Sequence, residues 1–420
     1  MLTPKNRIFA EGQFVLPDYE ATNDIIDLDT RRWYKVSGPP ALEDQDLARD
    51  AALKILDLLD PAVVTFVVSE NGKLIATGLD PRDDPTPAII YPRCPVELSP
   101  NDTLTRTQLV EVDRLGREVD LVSYESGENM VLGVFKYAIR PSNVQRVWKE
   151  LHILKALAAH PSVIPVDRII LDEVESRVVG FTTRFEPGGN LDVNKTIPFR
   201  FRWLEQLTSF VDYLNLRCGI MHADLQARNL LVNAAGDLKV FDFNISSKIN
   251  PVDLDYVAFK KGSMHDVHGV IFTLYELLTF DEQYRDFLTR HEDVSLVESL
   301  AHWPIKRPIE PGTDVAACRR FLERWVEDRR TKRTIQNHSD ATEPLDWPPL
   351  PIPEPEDRGP FQDQDSRWWQ KPSYQTRYSA LREGKYVVPW ERPPQSDVDA
   401  RRAERHQEVV AGSARSELKE

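Results

Sequence analysis

The stretch that most limits the folds open to this chain runs from Gly219 to Val232, GIMHADLQARNLLV. A histidine, an aspartate and, five positions after it, an asparagine precede a short apolar run. A second apolar run, LKVFDF, then delivers another aspartate, Asp242, thirteen positions beyond Asn229. Between the two runs lies NAAGD, whose Asn, Gly and Asp favour a turn, so a hairpin with polar groups at both open ends is expected. A lone histidine–aspartate pair before a strand is more often a turn or a cap than a reactive loop. Chemistry is argued only by what else stands in order along the chain.

The 420 residues, 41% hydrophobic and 29% charged, suffice for a sizeable core and exceed one average domain. A net charge of −14 with no basic block disfavours polyanion binding, because an acidic surface repels phosphate backbones, so no nucleic-acid partner is expected. Cys94, Cys218 and Cys318 show no CxxC spacing, which suggests neither a disulfide framework nor a zinc site and points to a reducing compartment. No eighteen apolar residues run together and no signal-peptide core opens the chain. An intracellular protein, cytoplasmic or nuclear and with no membrane partner, is expected.

Residues 1–104 read as a partly folded α/β extension, with a helical pattern in DQDLARDAALKILDLL and a hairpin in TFVVSENGKLIATGL closed by a two-residue Asn71-Gly72 turn. From Leu109 the alternation in LVEVDRLGREVDLVSYESGENMVLGVFKYAI suits consecutive antiparallel strands, and NVQRVWKELHILKALAAH has helical spacing. Strands are expected in VDRIILDEV and SRVVGFTTRF, a break at EPGGNL, a long helix in FRFRWLEQLTSFVDYLNL, and mostly helix to residue 331. Residues 332–420 form a largely extended Pro/Trp-rich tail: EPLDWPPLPIPEPEDRGP lacks too many backbone donors for helix or central strand. Its tryptophans at 347, 368, 369 and 390 suit docking onto the body or onto a protein partner of the tail.

Phosphoryl transfer from ATP needs a base for the acceptor hydroxyl, oxygen ligands for magnesium and a cation on the phosphates. Asp224, Asn229 and Asp242 supply the first two. HADLQARN with FDFN resembles the catalytic loop and metal-binding motif of the eukaryotic protein kinase family, with matching spacings. GVFKYAI is similar to that family's third-strand lysine motif and ELHILKALAAHPSVIP to its glutamate helix, which makes Lys136 and Glu150 the implied ion pair. RFEPGGNL resembles the hinge, so backbone groups of Thr183 to Glu186 would meet the adenine edge. HDVHGVIFTLYELLT resembles the central buried helix, whose Asp266 would receive backbone donors from the catalytic loop, while His222 would stack with Phe243 and Leu154. His265 and His268, three apart on that helix, have no carboxylate cluster or third histidine near them in sequence and are not expected to bind metal.

The resemblance covers about residues 105–331, and the wording is closest to divergent fungal kinase-like proteins. It implies a bilobal α+β fold, with a small antiparallel β-sheet lobe plus one helix over 105–186 and a larger, mainly helical lobe over 187–331. It implies catalytic roles for Asp224, Lys136 and Glu150, and cofactor contacts from Lys136, Gly116, Glu186, Asn229 and Asp242. Asn229 and Asp242 would hold Mg2+, ATP would be the donor, and a protein, including the chain itself, would be the acceptor. The phosphate-covering loop keeps only Gly116, with Asp113 and Arg114 where small residues serve a close backbone approach. Ala223 replaces the arginine that reads a phosphorylated activation segment, and no APE element lies between Asp242 and Asp266. Asn244 stands in place of glycine and is the side chain that next best tolerates a left-handed backbone. A protein kinase, a pseudokinase scaffold and a small-molecule kinase of the aminoglycoside or choline type are all compatible with this set.

Overall fold

The computed structural model describes residues 4–12, 21–95, 102–249, 264–285, 293–351, 375–397 and 399–400. Its helices are α1 (Pro4–Arg7), α2 (Gln45–Ile55), α3 (Pro141–Ala156), α4 (Phe201–Asp212), α5 (His265–Thr279), α6 (Val294–Glu298), α7 (Val315–Thr331) and α8 (Arg377–Arg382). By contacts the chain divides into two compact units, the first made of residues 1–144, 168–182 and 351–420, the second of 145–167 and 183–350. No described helix is long and apolar enough to cross a membrane.

The first unit opens with a five-stranded sheet in the order β1 (Ile8–Gly12), β2 (Ala21–Asp27), β3 (Arg32–Gly38), β4 (Thr65–Val68), β5 (Leu74–Gly78). Helix α2 starts where the Asp44 carboxylate caps the Asp46 amide at 2.8 Å, satisfying a donor that has no partner inside the helix. It packs Ala48, Ala51, Ala52 and Ile55 against Ile25, Val36 and Phe66 of the sheet. The β4–β5 hairpin is present, but its turn is longer than the expected Asn71-Gly72 pair. Ser69 accepts the Gly72 amide at 2.8 Å and donates to Lys73 O at 2.9 Å, and Gly72 is left-handed at φ 68°. The pattern is a tight turn followed by a left-handed glycine, a three-residue connection; reading the favoured dipeptide alone missed the bulge.

A second, six-stranded sheet has the order β6-β10-β11-β9-β8-β7, with β6 (Thr103–Thr105) parallel to β10 (Val166–Leu171). β7 (Val110–Gly116), β8 (Val119–Ser126) and β9 (Asn129–Tyr137) run antiparallel. Register places Lys136 opposite Val119. Alternation then puts Lys136 on one face and Phe135 and Tyr137 on the other. Gly180 on β11 (Val178–Arg184) runs so close to Lys136 that a Cβ there would collide with its carbonyl oxygen, which is why the strand needs glycine.

The second unit is mainly helical. Helix α4 buries Trp203, Leu204, Leu207, Phe210 and Val211 along one stripe, as an amphipathic helix should. Helix α5 is buried on nearly every side from Asp266 to Thr279, so it forms the centre of its unit rather than a surface. The expected hairpin is β13 (Leu230–Val232) with β14 (Leu238–Val240), and the turn between them carries Gly236 at φ 83°. Short strands β12 (Ile220–Met221) and β15 (Ser247–Lys248) pair antiparallel at the base of the loop that follows β12. Beyond α7 the chain returns to that base: Ile249 O accepts from His338 N at 3.1 Å, Arg217 O from Glu343 N at 2.8 Å and Cys218 O from Leu345 N at 2.9 Å. The expected α+β architecture, a β-sheet lobe and a mainly helical lobe, is the one observed. Trp368, Trp369, residues 250–263 and the charged C-terminal stretch lie outside the described residues.

Candidate active site

The loop between β12 and β13 is held from below by one buried carboxylate. Asp266, 1% exposed at the start of α5, accepts His222 N at 2.8 Å, Ala223 N at 2.9 Å and the Asn215 side chain at 2.9 Å. Asn215 in turn accepts from Arg329 of α7 at 3.2 Å, so this helix reaches the loop through two side chains. Ala223 sits in the left-handed region at φ 68°, a conformation an alanine keeps only where surrounding bonds impose it. Here Asp266 imposes it. His222 is fully buried, tilts against Phe243 at 4.7 Å between centroids, accepts the Asp224 amide at 3.3 Å and donates to Phe241 O at 3.0 Å. It is a packing and bonding residue, as its stacking partner suggested.

Above this base the Asp224 carboxylate is clasped by three neighbours. Arg228 approaches both oxygens at 3.0 and 2.9 Å, Asn229 Nδ2 donates to Oδ2 at 2.8 Å, and the Gln226 amide donates to Oδ1. Asn229 Nδ2 also reaches Asp224 O at 2.8 Å. The amide nitrogen of Asn229 is thereby committed to Asp224, which leaves its oxygen as the acceptor. Sequence reasoning did not give Arg228 or Gln226 a contact with the aspartate. The signal available was the opposite charge four positions on, which a loop can close as a helix does.

Just past β14 the Phe241 amide donates to Asn229 O at 3.2 Å, and Asp242 is the next residue, so the hairpin brings Asn229 and Asp242 into one backbone-linked group. Asp242 is left-handed at φ 68°, whereas Asn244, which stands in place of glycine, is not. Aspartate is among the residues that tolerate it, because a short polar side chain can bond locally. Helix α3 is tied to the same segment: Glu150 Oε1 accepts Phe243 N at 3.0 Å and Lys149 Nζ donates to Ser246 O at 2.7 Å. Trp148, the preceding residue, donates its indole N–H to Pro348 O and Pro349 O at 3.3 and 3.2 Å. The proline-rich stretch thus lies along its own unit at this point.

Burial, followed by the neighbouring Arg146, pushes the Lys149 ammonium down to about 8. The folded state therefore sheds this proton before the unfolded chain does, and stability should rise as pH climbs from about 8 towards the ordinary lysine value. The slope cannot exceed about 1.4 kcal/mol per pH unit. Urea midpoints taken from pH 7.5 to 10 should show that rise in the wild type and lose it in Lys149→Met.

Arg285 supports the loop from the far side. It donates to Leu225 O at 2.9 Å, pairs with Glu276 at 2.8 Å and reaches Thr273 at 3.2 Å, and Thr273 itself donates to Leu225 O at 2.9 Å. His265 Nε2 lies 3.1 Å from Ala223 O.

The remaining expected residues belong to other elements. Lys136 is on β9 of the first unit, and Glu150 belongs with the second. Gly116 closes β7 without a left-handed φ, and a Cβ there would meet only Val119 at 3.9 Å, so its backbone does not demand glycine. Glu186 lies just past β11, its carbonyl accepting Gly189 N at 3.3 Å. Arg114, one of the residues at odds with a glycine-rich loop, turns its guanidinium to Asp29 at 2.6 Å and Glu111 at 2.9 Å.

The donor set suits a hard divalent cation. Asn229 and Asp242 offer oxygen ligands, and magnesium is characteristically held by one or two protein groups with the rest supplied by water and substrate phosphates. Among the described residues no cluster of three or more histidines, cysteines or carboxylates gathers as a metal site of its own.

Residues 120–267, roughly a third of the chain, match the family model described as protein tyrosine and serine/threonine kinase. The chain is 32% identical over 113 residues to CBL-interacting serine/threonine-protein kinase 5 of Arabidopsis thaliana, covering 26% of this chain and 24% of that protein. Serine/threonine-protein kinase CHK1 of Saccharomyces cerevisiae is 27% identical over 113 residues, 26% of this chain and 21% of that protein. Mitogen-activated protein kinase kinase kinase 3 of Arabidopsis thaliana aligns over 284 residues at 24%, covering 59% of this chain and 42% of that protein. The chain spans about a quarter of the length of the first of these relatives. A β-sheet lobe, a helical lobe and a match over residues 120–267 give this chain a bilobal, kinase-like fold, and that stretch is similar to protein kinase domains.

Proposed function

We propose that this protein is an ATP- and magnesium-dependent protein kinase that phosphorylates a serine or threonine hydroxyl, its own included. The observation that supports this best is the Asp224 clasp on a loop whose backbone is bonded to buried Asp266. A carboxylate fixed in this way can orient an acceptor hydroxyl and take its proton as the oxygen attacks the γ-phosphorus and the bond to ADP breaks. Asn229 and Asp242 would hold magnesium, whose charge, when bound, neutralises the phosphate oxygens. Lys136, kept in place by Glu150, would meet the α and β phosphates, Gly116 would close over them, and backbone groups of Thr183 to Glu186 would take the adenine edge. The names of the relatives support a serine or threonine acceptor. The domain limits proposed are 1–104, 105–186, 187–331 and 332–420, in a protein placed inside the cell.

A second reading, a pseudokinase scaffold, is favoured by one observation: Arg114 and Asp113 stand in the hairpin where glycines would let the backbone approach phosphates. Magnesium-dependent ATP consumption and self-phosphorylation of the purified chain, beside Lys136→Met and Asp242→Asn checked for folding, separate the two. Activity lost in both variants supports a working kinase. No activity in any of the three proteins overturns the first reading, and ATP consumed only with a soluble metabolite would move the acceptor to a small molecule.

A further inference from the structure

The face of the second sheet opposite Lys136 meets residues 28–31 and residues 390–393. Arg392, from the tail, spans both sheets of the first unit with one side chain. Its Nε donates to Asp29 O at 2.9 Å and its Nη2 to Leu28 O at 3.0 Å. Its Nη1 meets Glu111 of β7 at 2.8 Å and Asp120 of β8 at 3.0 Å. Arg31, from the N-terminal sheet, pairs with the same Asp120, which is 1% exposed. Arg114 of β7 closes the circle by bonding Asp29 and, at 2.6 Å, the carbonyl of Pro393. Next to this cluster Trp390 stacks on Tyr137, the neighbour of Lys136, with centroids 5.0 Å apart and planes 18° from parallel. Its indole N–H is 2.9 Å from Tyr91 Oη.

The hairpin this cluster touches is the one that keeps only Gly116 of the expected glycines. β7 and β8 slip register twice, between Glu111 and Asp113 and between Arg114 and Gly116, so their own ladder holds them less regularly than that of β8 and β9. Glu118, left-handed at φ 56° in the turn, is pinned by Ile139 N at 2.8 Å and by Arg140 at 2.6 Å. Buried charges kept this fully paired lose several interactions at once when one member goes.

We propose that Arg392 is a positioning residue: with Trp390 it latches the tail across the outer face of the β7–β8 hairpin, and this latch fixes the hairpin for nucleotide. The second half of that statement rests on the kinase reading above; the latch does not. A rigid hairpin held from outside takes the place of a flexible one that closes by means of its glycines.

Hydrogen exchange of the full chain without nucleotide tests the latch. Arg392→Ala, and separately Trp390→Ala, should speed exchange of amides 110–126 at least about tenfold while α5 keeps its wild-type protection. A peptide of residues 385–397 added to Arg392→Ala should restore protection. Binding of a non-hydrolysable ATP analogue with magnesium should weaken about tenfold in each variant, matching that local opening, and recover with the peptide. Wild-type exchange in 110–126, or equal acceleration throughout the chain without rescue by the peptide, overturns the proposal. A wild-type protein that binds no nucleotide overturns the kinase reading and with it the positioning role, whereas the exchange rates still decide the latch.

Discussion

Asp224→Asn is expected to lower turnover by about 10²- to 10⁴-fold, the range a positioned general base contributes, with little change in thermal midpoint or in affinity for the ATP analogue. The two side chains have the same shape, so the Asn229 donation at 2.8 Å and the Arg228 approach at 2.9 Å can be kept by the remaining amide oxygen. What the amide cannot do is accept the hydroxyl's proton, and its nitrogen presents donors to Arg228 and Gln226 where there was an acceptor. Steady-state rates measured with the circular dichroism of each variant decide the matter. Turnover at the wild-type rate would remove Asp224 from the reaction.

The largest loss of stability is expected from Arg285→Ala, about 3–5 kcal/mol in urea unfolding, because breaking a buried ion pair strands the other charge. Glu276 is 8% exposed and its Oε1 accepts from this guanidinium at 2.8 Å. Against a total stability of about 5–15 kcal/mol such a loss is a large fraction of the whole. Replacing both residues by apolar ones of similar volume, Glu276→Leu with Arg285→Met, should recover most of it, since Leu225 O still accepts from Thr273 at 2.9 Å. A single variant within about 1 kcal/mol of the wild type, the scale of an exposed pair, would show that Arg285 is not buried with its partner in solution.

The two expectations draw on unequal amounts of sequence information. Asn229 and Asp242 were readable as neighbours because they flank one hairpin, whose pairing brings its open ends together, and Asp224 because it stands five positions before Asn229. The same holds for strands β7 to β9, whose alternation survives interruption by turns, and for Asp266, which begins an apolar run long enough to be a central helix. Arg285 and Arg392 were not readable. Their acceptors lie 60 and 272 positions away in sequence, at Leu225 and Asp120, and no local periodicity carries that information. That Asp242 is the left-handed residue of its segment was not readable either: side-chain tolerance ranks candidates, whereas the bonds from Phe241 and Phe243 to distant residues choose among them. Where Pro348 and Pro349 lie depended on the fold as well: their carbonyls accept the Trp148 indole N–H, 200 and 201 positions away in sequence.

The backbone acceptors at Arg217, Cys218 and Ile249 are satisfied by amides of Glu343, Leu345 and His338, and the Gly219 carbonyl by the His338 ring at 2.9 Å, 119 positions later. During synthesis at about 5–20 residues per second, those later residues emerge several seconds after the loop they complete. For that interval the segment bearing Asp224 has its inner supports still to come, so on the ribosome the candidate catalytic loop is among the last parts of its unit to be finished.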